Sequence, residues 1–167
     1  YNAGEFPDNE DLTPIFASDE FIRVKQILIS ADNGNTDEEN LAKAEEIYRM
    51  VTAGADFDTL VQEYGQDLYL FNNDDGYYIA RGTRYPEFEK AAFSLEVGEV
   101  SGIVASSAGY SIIKRYEKDE QYLADHYDDL RTEYYSALYN VRLETYADGL
   151  TLERLPALDN YSIFTMQ

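Results

Sequence analysis

Apolar and polar residues alternate from Phe21 to Ile29, with Ile22, Val24 and Leu28 on one side of the ribbon and Ile27 and Ile29 on the other. A period of two carried by β-branched side chains predicts a central strand. The spacing then lengthens. Leu41, Ala44, Ile47/Tyr48 and Val51 recur at helical intervals, behind Thr36 and Glu39 in the order of a capping box and ahead of Gly54, which suits a helix end. A second short helix starts at Asp56, buries Phe57, Leu60, Val61 and Tyr64, and stops at Gly65. Gln66 to Asp75 reads as a loop, Gly76 to Ala80 as a brief strand, and Arg81-Gly82 as a turn. Pro86 opens a helix that buries Phe88, Ala91/Ala92 and Leu95, because a first-turn proline forfeits no helical hydrogen bond. Val100 to Ala105 and Tyr110 to Tyr116 are strands joined by a turn at Ser107 to Gly109. The order β-α-α-β-α-β-β predicts a small α+β domain with four strands.

The flanks differ in character. Residues 1–20 hold six acids and no bases, with Gly4, Pro7 and Pro14, and read as an acidic lead-in or linker from which Leu12, Ile15 and Phe16 can dock. From Asp119 onward Leu123, Tyr127, Leu130, Tyr134, Ala137/Leu138, Val141 and Thr145 step by four and three. That seam predicts a helix of about 30 residues, ~45 Å long. Such a stripe needs cover from the domain, from a segment outside this chain, or from a second copy, which makes a homodimer through the helix one expectation. Gly149 and Pro156 break the helix, and Tyr161 to Phe164 can add an edge strand. The division read from this pattern is 1–20, 21–118 and 119–167.

Charge narrows the choice of partner. The chain carries a net charge of −20, and no basic stripe occurs along it. A phosphate backbone or an anionic membrane surface would be repelled, so no nucleic-acid partner is expected; a basic or unfolded polypeptide is easier to approach. Cysteine is absent, which excludes disulfides, thiolate catalysis and Cys-ligated zinc. There is no apolar run near the roughly 20 residues of a spanning helix. The start at Tyr1 reads as a processed piece of a longer precursor. His126 is the only histidine, and with Asp129 it makes two ligands, too few for a metal site. Asp32 to Asn35 and Asn72 to Gly76 lack the carboxylate spacing of a calcium loop and read as turns. No metal and no cofactor is implied. Of sixteen tyrosines, several lie in the C-terminal helix and serve as amphipathic filler there, with contact to varied peptides the alternative.

Residues 81–115 concentrate the functional signal. Arg81-Gly82, Phe88-Glu89, Ala91-Ala92-Phe93, Gly98-Glu99-Val100-Ser101, Val104, Gly109-Tyr110 and Ile112-Ile113-Lys114 closely resemble the second half of a parvulin-type peptidyl-prolyl isomerase domain. Arg23 to Ile29, the helix around Ala44 to Val51, and Gly54 to Leu60 resemble its first half, so the likeness covers roughly residues 21–118. With a long helix after the domain, the chain is similar to the extracytoplasmic foldases of Gram-positive bacteria. That likeness implies a cell-surface, lipid-anchored precursor and clients that are unfolded or proline-containing polypeptides.

The resemblance also implies a site. Parvulins hold a proline ring in an apolar cup above a polar floor of two histidines with a Cys or Asp nearby. By position, Phe88 matches the aromatic wall, Ile79 replaces a second aromatic, Arg84 stands where methionine is common, and Ser106 matches a floor hydroxyl. Asp67 takes the Cys/Asp position, while Gln26 and Ser111 take the two histidine positions, where an amide and a hydroxyl can still exchange a hydrogen bond. Gly76 removes a hydrophobic side chain common beside the loop. A barrier of ~18–20 kcal/mol opposes rotation about the peptide bond, and an isomerase lowers it by favouring the twisted amide. Without the imidazoles, the reading is a foldase or chaperone that binds such polypeptides with weak or lost isomerase activity. The alternative is an active isomerase that uses Asp67, Gln26 and Ser111 in their place.

Overall fold

The computed structural model describes residues 11–148, and its centre is a four-stranded antiparallel sheet. The alternating segment forms β1 (Phe21–Ser30), flanked by β2 (Tyr77–Ala80) and β4 (Gly109–Tyr116), with β3 (Val100–Ser106) beyond β4. Helices follow as α1 (Thr13–Ala17), α2 (Asp37–Thr52), α3 (Phe57–Tyr64), α4 (Leu68–Asn72), α5 (Pro86–Ala92), α6 (Glu120–Asp125) and α7 (Tyr127–Asp148).

Because strand side chains alternate, β1 serves two cores. Ile27 and Ile29 join Ile112 of β4 under α2 and α3, against Ala44, Ile47, Phe57 and Leu60. Ile22 and Val24 join Ile79 and Ile113 on the other side, under Phe88, Ala92 and Leu95. The expected capping box is present: Glu39 N–H donates to Thr36 Oγ1 at 3.3 Å, and Thr36 N–H donates to Glu39 Oε2 at 2.8 Å. Asp56 caps α3 by accepting from Thr59 N–H at 2.9 Å.

Four local departures have physical causes. On α2 the buried stripe runs through Asn40, Ala44 and Ile47, while Leu41 is 37% exposed. Asn40 is tolerated inside because its carbonyl accepts from Asn33 Nδ2 at 2.8 Å and its amide donates to Ser30 O at 3.3 Å. Residues 68–72, expected in a loop, form α4, which Asp67 caps through Tyr69 N–H at 3.1 Å. Residues 13–17, expected in an irregular lead-in, form α1, whose Phe16 is buried beside the equally buried Leu12.

The single long helix expected after Asp119 is two, broken at His126. Both the His126 backbone N–H and its ring Nδ1 approach Tyr122 O at 3.0 Å, and the imidazole stacks on Tyr122 with centroids 4.0 Å apart. Leu123, Tyr127, Leu130 and Tyr134 of the seam pack on Leu12, Phe16, Phe21 and Tyr78, so α1 and the β1–β2 edge cover that half. The Ala137, Leu138, Val141 and Thr145 side chains, the Gly149 and Pro156 breaks and the Tyr161–Phe164 strand lie outside the described residues.

Several phenols are partly buried in this packing. Burial raises the Tyr116 and Tyr78 pKa values above the ordinary range, and for Tyr116 the Asp58 charge adds to the rise. A phenol whose folded-state pKa exceeds its unfolded value stabilises the fold fully below about pH 10, and that contribution is lost as pH climbs toward the folded value. The melting temperature is therefore expected to hold near about pH 9 and to fall by about pH 11. An unchanged midpoint across that interval, followed by circular dichroism, would contradict it.

Candidate active site

Register brings together Gln26 and Ser111, the residues expected at the two histidine positions. Across β1 and β4 Gln26 pairs with Ile113 and Leu28 with Ser111, so Gln26 and Ser111 are diagonal neighbours on one sheet face. Ser111 Oγ donates to Gln26 Oε1 at 2.8 Å. Gln26 Nε2 in turn donates to Asp67 Oδ2 at 2.7 Å. Tyr77 completes the chain, its hydroxyl 2.9 Å from both Asp67 oxygens. Asp67 is held there because it also caps α4, a helix that starts where its carboxylate is needed. Burial, and then the Asp67 hydrogen bond, push the Tyr77 phenol above its ordinary pKa, so it stays a donor.

Above this floor is a shallow basin of about 60 Å³ whose lining includes Gln26, Ser111, Ser106, Phe88 and Arg84. Five of the seven nominated residues therefore share one surface. The other two do not line it. Asp67 contacts the floor through Gln26, and Ile79 is wholly buried beside Ile22, Phe88 and Ile113. A groove of about 650 Å³ between α1, α6 and the sheet end contains none of the seven.

Tyr77 and Tyr85, which also line the basin, and Glu89 escaped sequence reasoning as site residues. Tyr77 pairs with Val24 and Ile79 with Ile22, so parity with Ile79 was the available signal for Tyr77. Glu89 accepts from Gly82 N–H at 2.9 Å and from Arg84 N–H at 2.8 Å, which fixes the loop carrying Arg84. The Arg84 guanidinium lies 4.2 Å from the Tyr77 ring centroid, a cation–π distance. At Gly76, φ is +79°, and a Cβ would fall 2.7 Å from Val24 O and 3.0 Å from Lys25 Cγ. The missing hydrophobic side chain has no room here.

A family profile described as the PPIC-type PPIase domain of the rotamases matches residues 22–117, more than half of the chain. The chain belongs to the PpiC-type peptidyl-prolyl isomerase family. Relatives of this PpiC-type domain include foldase protein PrsA 2 of Bacillus cereus, 39% identical over 99 residues that cover 58% of this chain and 31% of that protein. Foldase protein PrsA of Oceanobacillus iheyensis is 46% identical over 78 residues, 46% of this chain and 26% of that one. Among solved structures, the peptidylprolyl isomerase PrsA of Bacillus cereus aligns with a TM-score of 0.50 at 25% identity, over 81% of this chain and 53% of that chain. The PpiC-type chain described here thus spans less than a third of the length of these two curated relatives.

Proposed function

We propose that this PpiC-type domain is a foldase or chaperone module that binds unfolded or proline-containing polypeptides in the Phe88 basin and isomerises them weakly or not at all. The observation that carries this reading is the closed hydrogen-bond chain of the floor. Gln26 spends its carbonyl on Ser111 and one amide hydrogen on Asp67, so the groups that replace the imidazoles act chiefly on each other. An isomerase needs donors that strengthen their hold as the amide twists, and a floor satisfied in the ground state has little left to give. Binding has separate support. Leu68 is 80% exposed and Phe71 56%, and both lie on α4, the helix whose cap Asp67 bonds the floor, a surface suited to apolar segments of a client.

The second reading, an active isomerase, is favoured by one feature. Tyr77 and Asp67 keep the Gln26 amide oriented, a positioning role that the floor of an enzyme also requires. Kinship with PrsA foldases supports an extracytoplasmic, lipid-anchored full-length protein, and self-association through the rest of α7 remains part of the proposal. Among the described residues, no helix is long and apolar enough to cross a membrane.

A protease-coupled assay on a Xaa-Pro tetrapeptide, run beside aggregation of an unfolded client, separates the two readings. Expected are a rate near background and suppressed aggregation, with the Gln26→His/Ser111→His double variant raising the rate about tenfold or more, or ~1.4 kcal/mol in the barrier. A wild-type rate well above background that disappears in Phe88→Ala would establish the enzyme instead.

A further inference from the structure

Among the described residues, Arg84 is the one charged side chain that lines the basin. Its Nε is buried and has no hydrogen-bond partner among the described residues. The Tyr77 ring takes one face of the guanidinium, at 4.2 Å, and leaves its in-plane donors unused. Glu89 grips the Arg84 backbone, not its head group, so the loop is fixed without engaging the guanidinium.

Among the described residues, no carboxylate forms an ion pair with that guanidinium. Asp67 is occupied by Gln26, Tyr77 and the Tyr69 backbone N–H. Glu133 of α7 is near enough for Arg84 to oppose the rise in pKa that burial causes, yet the two form no ion pair among the described residues. A buried guanidinium nitrogen without an acceptor is destabilising until an acceptor arrives, and a carboxylate is the group its fork fits best.

We propose that the basin selects peptides with an acidic side chain next to the proline, the carboxylate meeting Arg84 while the proline ring rests on Phe88. This rests on the reading of the basin as a peptide site and names its substrate class. The protein's net charge of −20 makes the claim sharp. General electrostatics would draw basic peptides most strongly. A preference for acid must come from a short-range contact.

Isotope-labelled full-length chain is titrated with N-acetylated, C-amidated Ala-Xaa-Pro-Phe peptides, where Xaa is Glu, Gln or Lys, with amide and guanidinium shifts recorded. The Glu peptide is expected to bind about tenfold tighter than Gln, equivalent to ~1.4 kcal/mol, and tighter than Lys. In Arg84→Gln, with an amide spectrum that reports an intact fold, the Glu-to-Gln ratio is expected to fall to about one. Equal affinity for Glu and Gln peptides, or a preference that persists in Arg84→Gln, overturns the selection and leaves the peptide site standing. Absence of binding by all three peptides, with no shifts at Gln26, Phe88 or Ser111, overturns the site and the selection together.

Discussion

Phe88→Ala is expected to abolish peptide capture and to cost about 3–5 kcal/mol of stability. The ring does two jobs. It is 6% exposed and packs with Ile22, Val24, Ile79 and Ile113, so truncation leaves a cavity under α5 as well as lost apolar burial. Its remaining exposed edge forms the wall of the basin. Phe88→Leu separates the roles, since a large apolar replacement is expected to cost less than about 1.5 kcal/mol and to retain part of the wall. Urea unfolding gives the stabilities, and peptide titration gives the capture. A Phe88→Ala variant that loses less than about 1 kcal/mol would place the ring outside the core, against its burial.

Gly109→Ala is expected to destabilise the domain by about 3 kcal/mol or more, from left-handed backbone strain together with overpacking. At φ +124°, an added Cβ would lie 2.8 Å from Ala31 N and 3.0 Å from Ser30 C, and closer still to Ile29 O. These atoms belong to β1 and the residue after it, where Gly109 pairs with Ser30 and Ala31 N–H donates to Ala108 O. They are backbone, so they cannot swing aside. Gly34 is the matched control: its φ is +85°, but nothing stands within 4 Å of an added Cβ. Gly34→Ala should therefore show the strain alone, about 1 kcal/mol. Thermal and urea unfolding of the two variants decide the matter. Equal losses at both positions would mean that the close approach of β1 to the β3–β4 turn contributes nothing.

The sheet was legible because two signals agreed. A period of two in β1 and glycine-marked turns before β4 leave few other ways to arrange the segments. Helix ends were legible where a side chain does the capping, as at Thr36 and Asp56. Periodicity failed where a polar residue satisfied its own hydrogen bonds in the interior. Asn40 holds the buried place on α2 that hydrophobicity assigns to Leu41. It failed also for α4, five residues whose helix depends on Asp67 as cap. The break at His126 was hidden because a stacked imidazole, not a proline or glycine, ends α6.

At the candidate site, family motifs pointed to Gln26, Ser111 and Phe88, and strand register accounts for why the first two meet. Parity with Ile79 places Tyr77 on the sheet face of the site, but its hydroxyl matters only because Asp67 is folded back onto it across ten residues. Glu89 belongs to the Phe88-Glu89 motif, but its grip on two backbone N–H groups is a property of the loop geometry. Such tertiary contacts leave no periodic trace.

One bond in the floor joins residues 85 positions apart in the chain. Its two strands, β1 and β4, are the first and last of the sheet in sequence yet lie side by side at its middle. A nascent chain emerging from the ribosome therefore carries Gln26 early but has no basin until β4 has followed. Pairings of such long reach form slowly, because loop closure precedes their reward. The unfinished protein is thus itself an open polypeptide, and completes its basin only with the last strand of its own sheet.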